Sequence, residues 1–323
     1  MDTKFTLVAI AAIPLVLTGC NKTLTAMDIG DLLAADATDT AAKHFNAGTS
    51  LKASKKTTVT KTLDYTKNTI AKAPAADFSV TKNKTGGVDM NVNGEVVSFA
   101  AADKFIEPDG TTSFGYEKNP NGGGDYKGLF SWSGSINDLE AGTDTNFLQV
   151  WNYYSDTDGM GTRGFAVVGA ETKPDTIKAL PNATYTGYAL AETALANDRK
   201  TRTRVRGDLA LNADFAAGNV NGTISNLMSE VRNGANNGWD PRTPQNGQIA
   251  MGTSSINANG FTGGTVSGDA AFNTAIDGDI AGSTYSGRFY GPNAEDVGGV
   301  LDITGTSDGD VILGNGFFAG GKN

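Results

Sequence analysis

The chain has 323 residues, a net charge of −9, one histidine (His44) and one cysteine (Cys20). An acid excess spread along the sequence argues against a nucleic-acid partner, because phosphate backbones are bound by clustered Lys and Arg. A lone Cys and a lone His exclude disulfides and multi-histidine metal sites and disfavour most hydrolase chemistry, so a non-enzyme with no cofactor and no metal is expected.

Residues 1–19 read as an export signal. Lys4 gives a short positive start, Phe5 to Leu17 is an uncharged apolar run, and Leu17-Thr18-Gly19-Cys20 closes it with small residues before a cysteine. A stretch this short is a cleaved signal rather than a spanning helix. From Cys20 to about Thr57 the sequence is rich in Ala, Thr, Asp and Lys, with Met27 to Ala35 long enough for a helical turn or two. The rest reads as a solvated tether. A flexible chain of about 35 residues has an end-to-end distance of roughly 30 Å, enough to lift a domain off a lipid surface.

A β-rich domain is expected over 58–181. Phe78 to Val80, Val88 to Val92 and Glu95 to Phe99 look like short strands, with Asn93-Gly94 as a two-residue hairpin turn. Asn119 to Gly124 is a polar, glycine-rich loop. Phe147 to Tyr154 is the most aromatic strand, its antiparallel partner Thr162 to Gly169 lying across an acidic turn, and its rings are assigned to the core. That turn, Asp156-Thr157-Asp158-Gly159, begins like a calcium loop but lacks the later carboxylate, and reads as a polar hairpin. Pro174 and Pro181 bracket a connector.

From 182 to 323 the strands become regular, about eight in number, enough to close a small antiparallel barrel. Asp208 to Phe215 alternates cleanly, placing Leu209, Leu211, Ala213 and Phe215 on one face. Asn182 to Ala196 is expected to end in a helical stretch near Ala191. Arg199, Lys200, Arg202, Arg204 and Arg206 form a basic cluster. Alternation places Arg202, Arg204 and Arg206 together on the outer face, either solvated beside nearby acids or free to meet anionic headgroups or an acidic partner. The polar stretch from Met228 to Gly247 carries Arg232, Trp239 and Arg242, residue types that dominate binding hot spots. These three are the ligand-binding candidates, with Trp239 open to an alternative role plugging the barrel end.

Two strings resemble known families. Leu17-Thr18-Gly19-Cys20 resembles the lipobox of bacterial lipoproteins, which implies acylation of Cys20 and, with Asn21 following, an outer-membrane location. Gly287-Arg288-Phe289-Tyr290-Gly291-Pro292-Asn293-Ala294-Glu295-Asp296-Val297-Gly298-Gly299 is a strand, a Gly-Pro turn, one acidic helical turn and a Gly-Gly pair opening the next strand. It resembles the barrel signature of transferrin-binding-protein-B-like surface lipoproteins through Phe289, Tyr290, Gly291, Pro292, Glu295, Gly298 and Gly299. The hairpin Asp208 to Leu227 and the terminal Gly314 to Gly321 run are similar to that family's barrel strands.

The resemblance implies an all-β lobe, a handle domain followed by an eight-stranded antiparallel barrel. It also implies a surface lipoprotein that captures an iron- or heme-carrying protein and delivers it to a TonB-dependent outer-membrane transporter. The length fits one such lobe, similar to factor-H-binding protein. That leaves open an adhesin or immune-evasion role, or a structural envelope role.

Overall fold

The computed structural model describes residues 50–106, 114–119, 125–131, 147–157, 159–232, 239–276 and 278–323. Cys20, the Met27–Ala35 segment and His44 lie outside these residues, as do Asp158 and nearly all of the Asn119–Gly124 loop.

The N-terminal half contributes β1 (Ser50–Ala53), β2 (Thr58–Asp64), β3 (Thr69–Ala73), β4 (Phe78–Lys82), β5 (Val88–Val92) and β6 (Glu95–Phe99). It continues with β7 (Lys104–Ile106), β8 (Phe114–Lys118), β9 (Lys127–Ser131), β10 (Leu148–Thr157) and β11 (Met160–Gly169). These make two sheets, a four-stranded one ordered β1-β4-β5-β6 and a seven-stranded one ordered β3-β2-β11-β10-β9-β8-β7. The β5–β6 hairpin turns at Asn93 and Gly94, both with positive φ (54° and 89°), the conformation that a two-residue type I′ turn requires. β10 and β11 pair antiparallel as expected, with Leu148 opposite Gly169.

The tether reading gives way before Thr57. β1 pairs with β4 through Ser50–Ala53, and Leu51 is buried in the core between the sheets. One leucine among Ala, Lys and Ser was too weak a signal to mark a strand.

A short helix, α1 (Pro174–Ile177), leads into β12 (Ala183–Leu195), β13 (Asp198–Asp214), β14 (Asn219–Arg232) and the two-residue β15 (Thr243–Pro244). Then come β16 (Ile249–Asn257), β17 (Gly260–Gly268), helix α2 (Ala270–Ala275), β18 (Ser283–Tyr290), β19 (Asp296–Ser307) and β20 (Asp310–Lys322). The sheet order β13-β12-β20-β19-β18-β17-β16-β14, with β13 paired back to β14, closes an eight-stranded antiparallel barrel. Leu209, Leu211, Ala213 and Phe215 all face its interior, which is filled by rings such as Phe261, Tyr285, Phe289 and Phe318 in edge-on or stacked contact. Among the described residues the interior is a packed core.

No helix forms near Ala191. β12 runs unbroken because both its faces are buried: Tyr185, Ala189 and Ala191 point into the barrel, while Tyr188 and Leu190 point at the handle. A strand covered on both sides loses the polar alternation that would have identified it.

Three layers result. The four-stranded sheet covers one face of the seven-stranded sheet through Phe78, Val80, Met90 and Phe99 against Tyr116, Trp151, Tyr153 and Val168. Trp151 and Tyr153 are therefore core, as the sequence indicates, whereas Tyr154 on the opposite face and Phe147 at the start of the segment are only partly buried. The other face of the seven-stranded sheet lies on the barrel wall: Val59, Leu148, Val150, Phe165 and Val167 meet Tyr188, Leu190, Tyr290, Val300, Phe317 and Ala319.

Candidate functional site

Period-two alternation carries each of these interface strands from an apolar end to a charged end. On β2, Val59 is followed on the same face by Lys61 and Leu63. On β10, Leu148 and Val150 lead to Asn152, Tyr154 and Asp156, and on β11 Val167 and Phe165 give way to Arg163. The opposing wall changes in step, with Tyr188 and Leu190 leading to Glu192 on β12 and Phe317 giving way to Asn315 on β20. Where both walls are apolar they close, and where both are polar they enclose a cavity of about 610 Å³.

Among the described residues, six cations line this cavity (Lys61, Arg163, Arg199, Arg202, Arg204 and Arg232) against two carboxylates, Asp156 and Glu192. In a protein of net charge −9 this is a local inversion of sign. Several of the cations are held by rings and acids behind them. Arg163 sits 4.9 Å from the Tyr154 ring and 2.8 Å from Asp156, Arg199 lies 4.2 Å over Tyr65, and Arg204 lies 4.0 Å over Trp239. Arg204 also pairs with Glu192 and, at 3.0 Å, with Glu230, which in turn binds Arg206. Burial works to raise the Glu192 carboxyl, but Arg204 and Arg202 outweigh it and hold it at about 2. Lys61 is 3% exposed, and burial pulls its ammonium from 10.5 to about 7 against the attraction of Asp302 and Glu192.

A bulge brings Glu230 to this face. Val220 and Ile224 of β14 point into the barrel, yet so does Leu227, because Asn226 takes a left-handed conformation (φ 50°) where the β13–β14 register shifts. The phase of the strand flips there, and Glu230 and Arg232 emerge beside Arg204.

The three ligand-binding candidates separate. Arg232 and Trp239 both line the cavity; Trp239 stacks on Arg204 outside the barrel and does not plug its end. Arg242 is half exposed, 3.6 Å from Glu230, and does not line the cavity. The basic cluster does face outward, but Arg206 is buried and Arg204 half-buried there, and both are neutralised by Glu192 and Glu230 rather than solvated. Sequence reasoning missed Lys61, Arg163, Glu192 and Glu230. Lys61 alone carried a local signal, a lysine sharing a strand face with Val59 and Leu63.

The signature residues form the joint between the layers. Phe289 points inward against Phe215 and Phe261, whereas Tyr290 points outward into the handle interface. Gly291 has a φ of 87°, and its N–H donates to the Ala170 carbonyl at 2.7 Å. Pro292 is exposed in the turn, and Glu295 accepts from the Asn293 N–H at 2.8 Å, making a hydrogen-bonded turn where a helical one was expected. Gly298 lies against Leu148 and Val167 of the handle, and a side chain on Gly299 would run into the Ser286 carbonyl. Asp296 accepts from the Phe147 N–H at 2.6 Å, and Thr172 donates to the Gly291 carbonyl at 2.7 Å. Among the described residues, no three His, Cys, Asp or Glu side chains converge as a metal site.

Residues 180–320 match the family model of the C-lobe and N-lobe β-barrels of Tf-binding protein B. No curated protein matches the chain. Among solved structures, a variant of transferrin-binding protein B from Haemophilus parasuis is 16% identical, with a TM-score of 0.45, over 82% of this chain and 45% of that one. Isotype 1 transferrin-binding protein B from serogroup B Neisseria meningitidis is 14% identical, with a TM-score of 0.41, over 83% of this chain and 43% of that one. A surface lipoprotein is 12% identical, with a TM-score of 0.30, over 82% of this chain and 99% of that one. The chain thus spans less than half the length of the two transferrin-binding proteins.

Proposed function

We propose, from the match of residues 180–320 to the barrel model of transferrin-binding protein B, that the chain is a non-catalytic ligand-binding lipoprotein of the bacterial outer membrane. Cys20 would carry the acyl chains and the segment after it would serve as the tether. Two or more chains, each buried methylene contributing about 0.8 kcal/mol, give stable attachment. The ligand in this reading is an iron- or heme-carrying protein, passed on to a TonB-dependent outer-membrane transporter.

The observation that supports surface capture is the filled barrel. With Phe261, Tyr285, Phe289 and Phe318 occupying the interior, a protein ligand must be met on the outside. Among the described residues, β6 and β7 are the last strands of their sheets: β6 carries Val96, 58% exposed, and β7, close after it in sequence, carries Phe105 stacked on Phe130. Exposed apolar residues on such edge strands suit strand addition or edge packing by a partner. Arg242, half exposed beside β14, is a further contact candidate.

The test is retention of candidate proteins on the immobilised full chain, using iron-loaded and iron-free transferrin and hemoglobin as probes. Retention of a loaded form over its unloaded counterpart is expected. Failure to retain any of them removes the iron branch. Protease shaving of intact cells then tests placement, since a protected domain would put the protein on the periplasmic face.

A further inference from the structure

The cavity between handle and barrel has a composition that capture of a protein on exposed edges does not explain. Among the described residues its cations outnumber its carboxylates six to two, and Lys61, Arg199 and Arg232 have no ion pair, unlike Arg163, Arg202 and Arg204. Arg232 stands directly opposite Arg202 on the neighbouring strand, an arrangement of like charges that costs stability. The Arg199 guanidinium is stacked on Tyr65, and its buried Nε has no hydrogen-bond partner. The Lys61 ammonium, almost wholly buried, has neither a hydrogen bond nor an ion pair among the described residues. Guanidiniums clamped against Tyr154, Tyr65 and Trp239 are fixed in orientation before any ligand arrives, which lowers the entropic cost of forming forked bonds to an oxyanion.

We propose that this cavity binds a small soluble polyanion, whose carboxylate or phosphate oxygens are held by Lys61, Arg199, Arg202 and Arg232. Arg163 and Arg204, closely paired with Asp156, Glu192 and Glu230, form the rigid wall behind them, while Arg202 reaches Glu192 only at 3.7 Å. Volume sets the size class: about 610 Å³ admits a solute with several anionic groups and excludes a folded protein. The site is separate from the handle edges assigned to protein capture, so either reading can fail without the other.

Binding should be coupled to a proton at Lys61. That ammonium faces Glu192 from β12, Asp302 from β19, Lys72 from β3 and Arg163 from β11. An arriving anion favours the charged form, so a complex formed above neutral pH takes up a proton.

The experiment is isothermal titration of the purified full chain with citrate and with pyrophosphate, which separate carboxylate from phosphate preference, in two buffers of different ionisation enthalpy. At least one probe is expected to bind one-to-one with a Kd below about 1 mM and with net proton uptake at about pH 8. Lys61→Met should abolish the uptake and weaken binding at about pH 6 by tenfold or more. Arg232→Gln, on the cavity wall outside the tight core, should weaken binding without touching the uptake. Absence of binding by both probes, or binding unchanged in both variants, overturns the proposal. Competition by vesicles of anionic lipid that displaces the bound probe would overturn the soluble-ligand assignment in favour of a headgroup.

Discussion

Replacing Lys61 by Met isolates the cost of keeping an ammonium in the wall of the cavity. The side chain is 3% exposed, and burial lowers its pKa from 10.5 to about 7, with Asp302 and Glu192 opposing the shift and Lys72 adding to it. Below about pH 7 the folded and unfolded chains both carry the charge, and the full cost of burying it is present. Between about 7 and 10.5 the unfolded chain holds a proton that the folded chain has released, so stability climbs with pH. Above 10.5 both forms are neutral and the cost is gone. The gap between the two values corresponds to at most about 5 kcal/mol at ~1.36 kcal/mol per pH unit. Methionine keeps the apolar stem and fills similar space. Lys61→Met is therefore expected to raise the unfolding free energy at about pH 6 by several kcal/mol, with the gain shrinking steadily towards about pH 10. Urea unfolding followed by tryptophan fluorescence at three pH values measures it. A variant no more stable than the parent at about pH 6, or a gain that stays constant with pH, would refute the account of Lys61 as an uncompensated buried charge.

Three further outcomes follow from the geometry. Glu192, lowered from 4.5 to about 2 by Arg204 and Arg202 against its desolvation, contributes about 3 kcal/mol that is fully present above pH 4.5 and lost as pH falls towards 2. Glu192→Gln should lower stability at neutral pH, and the difference from the parent should close on acidification in the same urea assay. Phe317→Ala removes the ring packed against Phe165 at 5.4 Å and Tyr188 at 5.8 Å, costing about 3–5 kcal/mol. Because that ring joins handle to barrel, calorimetry should show handle and barrel unfolding together in the parent and separately in the variant. Gly299→Val forces a side chain against the Ser286 carbonyl, and it should lower the stability read from a denaturant midpoint by more than about 2 kcal/mol, where Thr284→Val at an exposed position of β18 costs little.

Alternation was legible wherever a strand buries one face, as from Leu209 to Phe215. It failed wherever a third layer covers the second face. In β12 the handle side demands Tyr188 and Leu190 while the barrel side demands Ala189 and Ala191, leaving an apolar run that reads equally well as helix. The Asn226 bulge defeats pattern reading in another way. Continued without it, the phase set by Val220 and Ile224 would place Glu230 inside the barrel. The cavity itself had no contiguous signature. Lys61, Arg163, Glu192 and Arg232 come from four strands that only tertiary packing brings together, so a sequence window sees the arginine cluster and misses the residues that neutralise or oppose it.

The division of labour along the interface bears on what the signature string can and cannot say. Tyr290, Gly291, Asp296 and Gly298 are committed to docking the handle: their backbone and side chains meet Phe147, Leu148, Val167, Ala170 and Thr172. None of the signature residues lines the charged cavity. The string therefore identifies how the two sheets are fixed together and carries no information about the ligand. Fixing the apolar end has a consequence at the other end, however. It holds the seven-stranded sheet at a set distance from β12 and β13, so Lys61 and Arg163 cannot move away from Arg202, Arg204 and Arg232 to relieve their repulsion. A loosely joined handle would splay and solvate these cations separately. The rigid joint instead keeps a concentration of positive charge that an anion relieves, and the stability given up at Lys61 is the cost of keeping that site preformed.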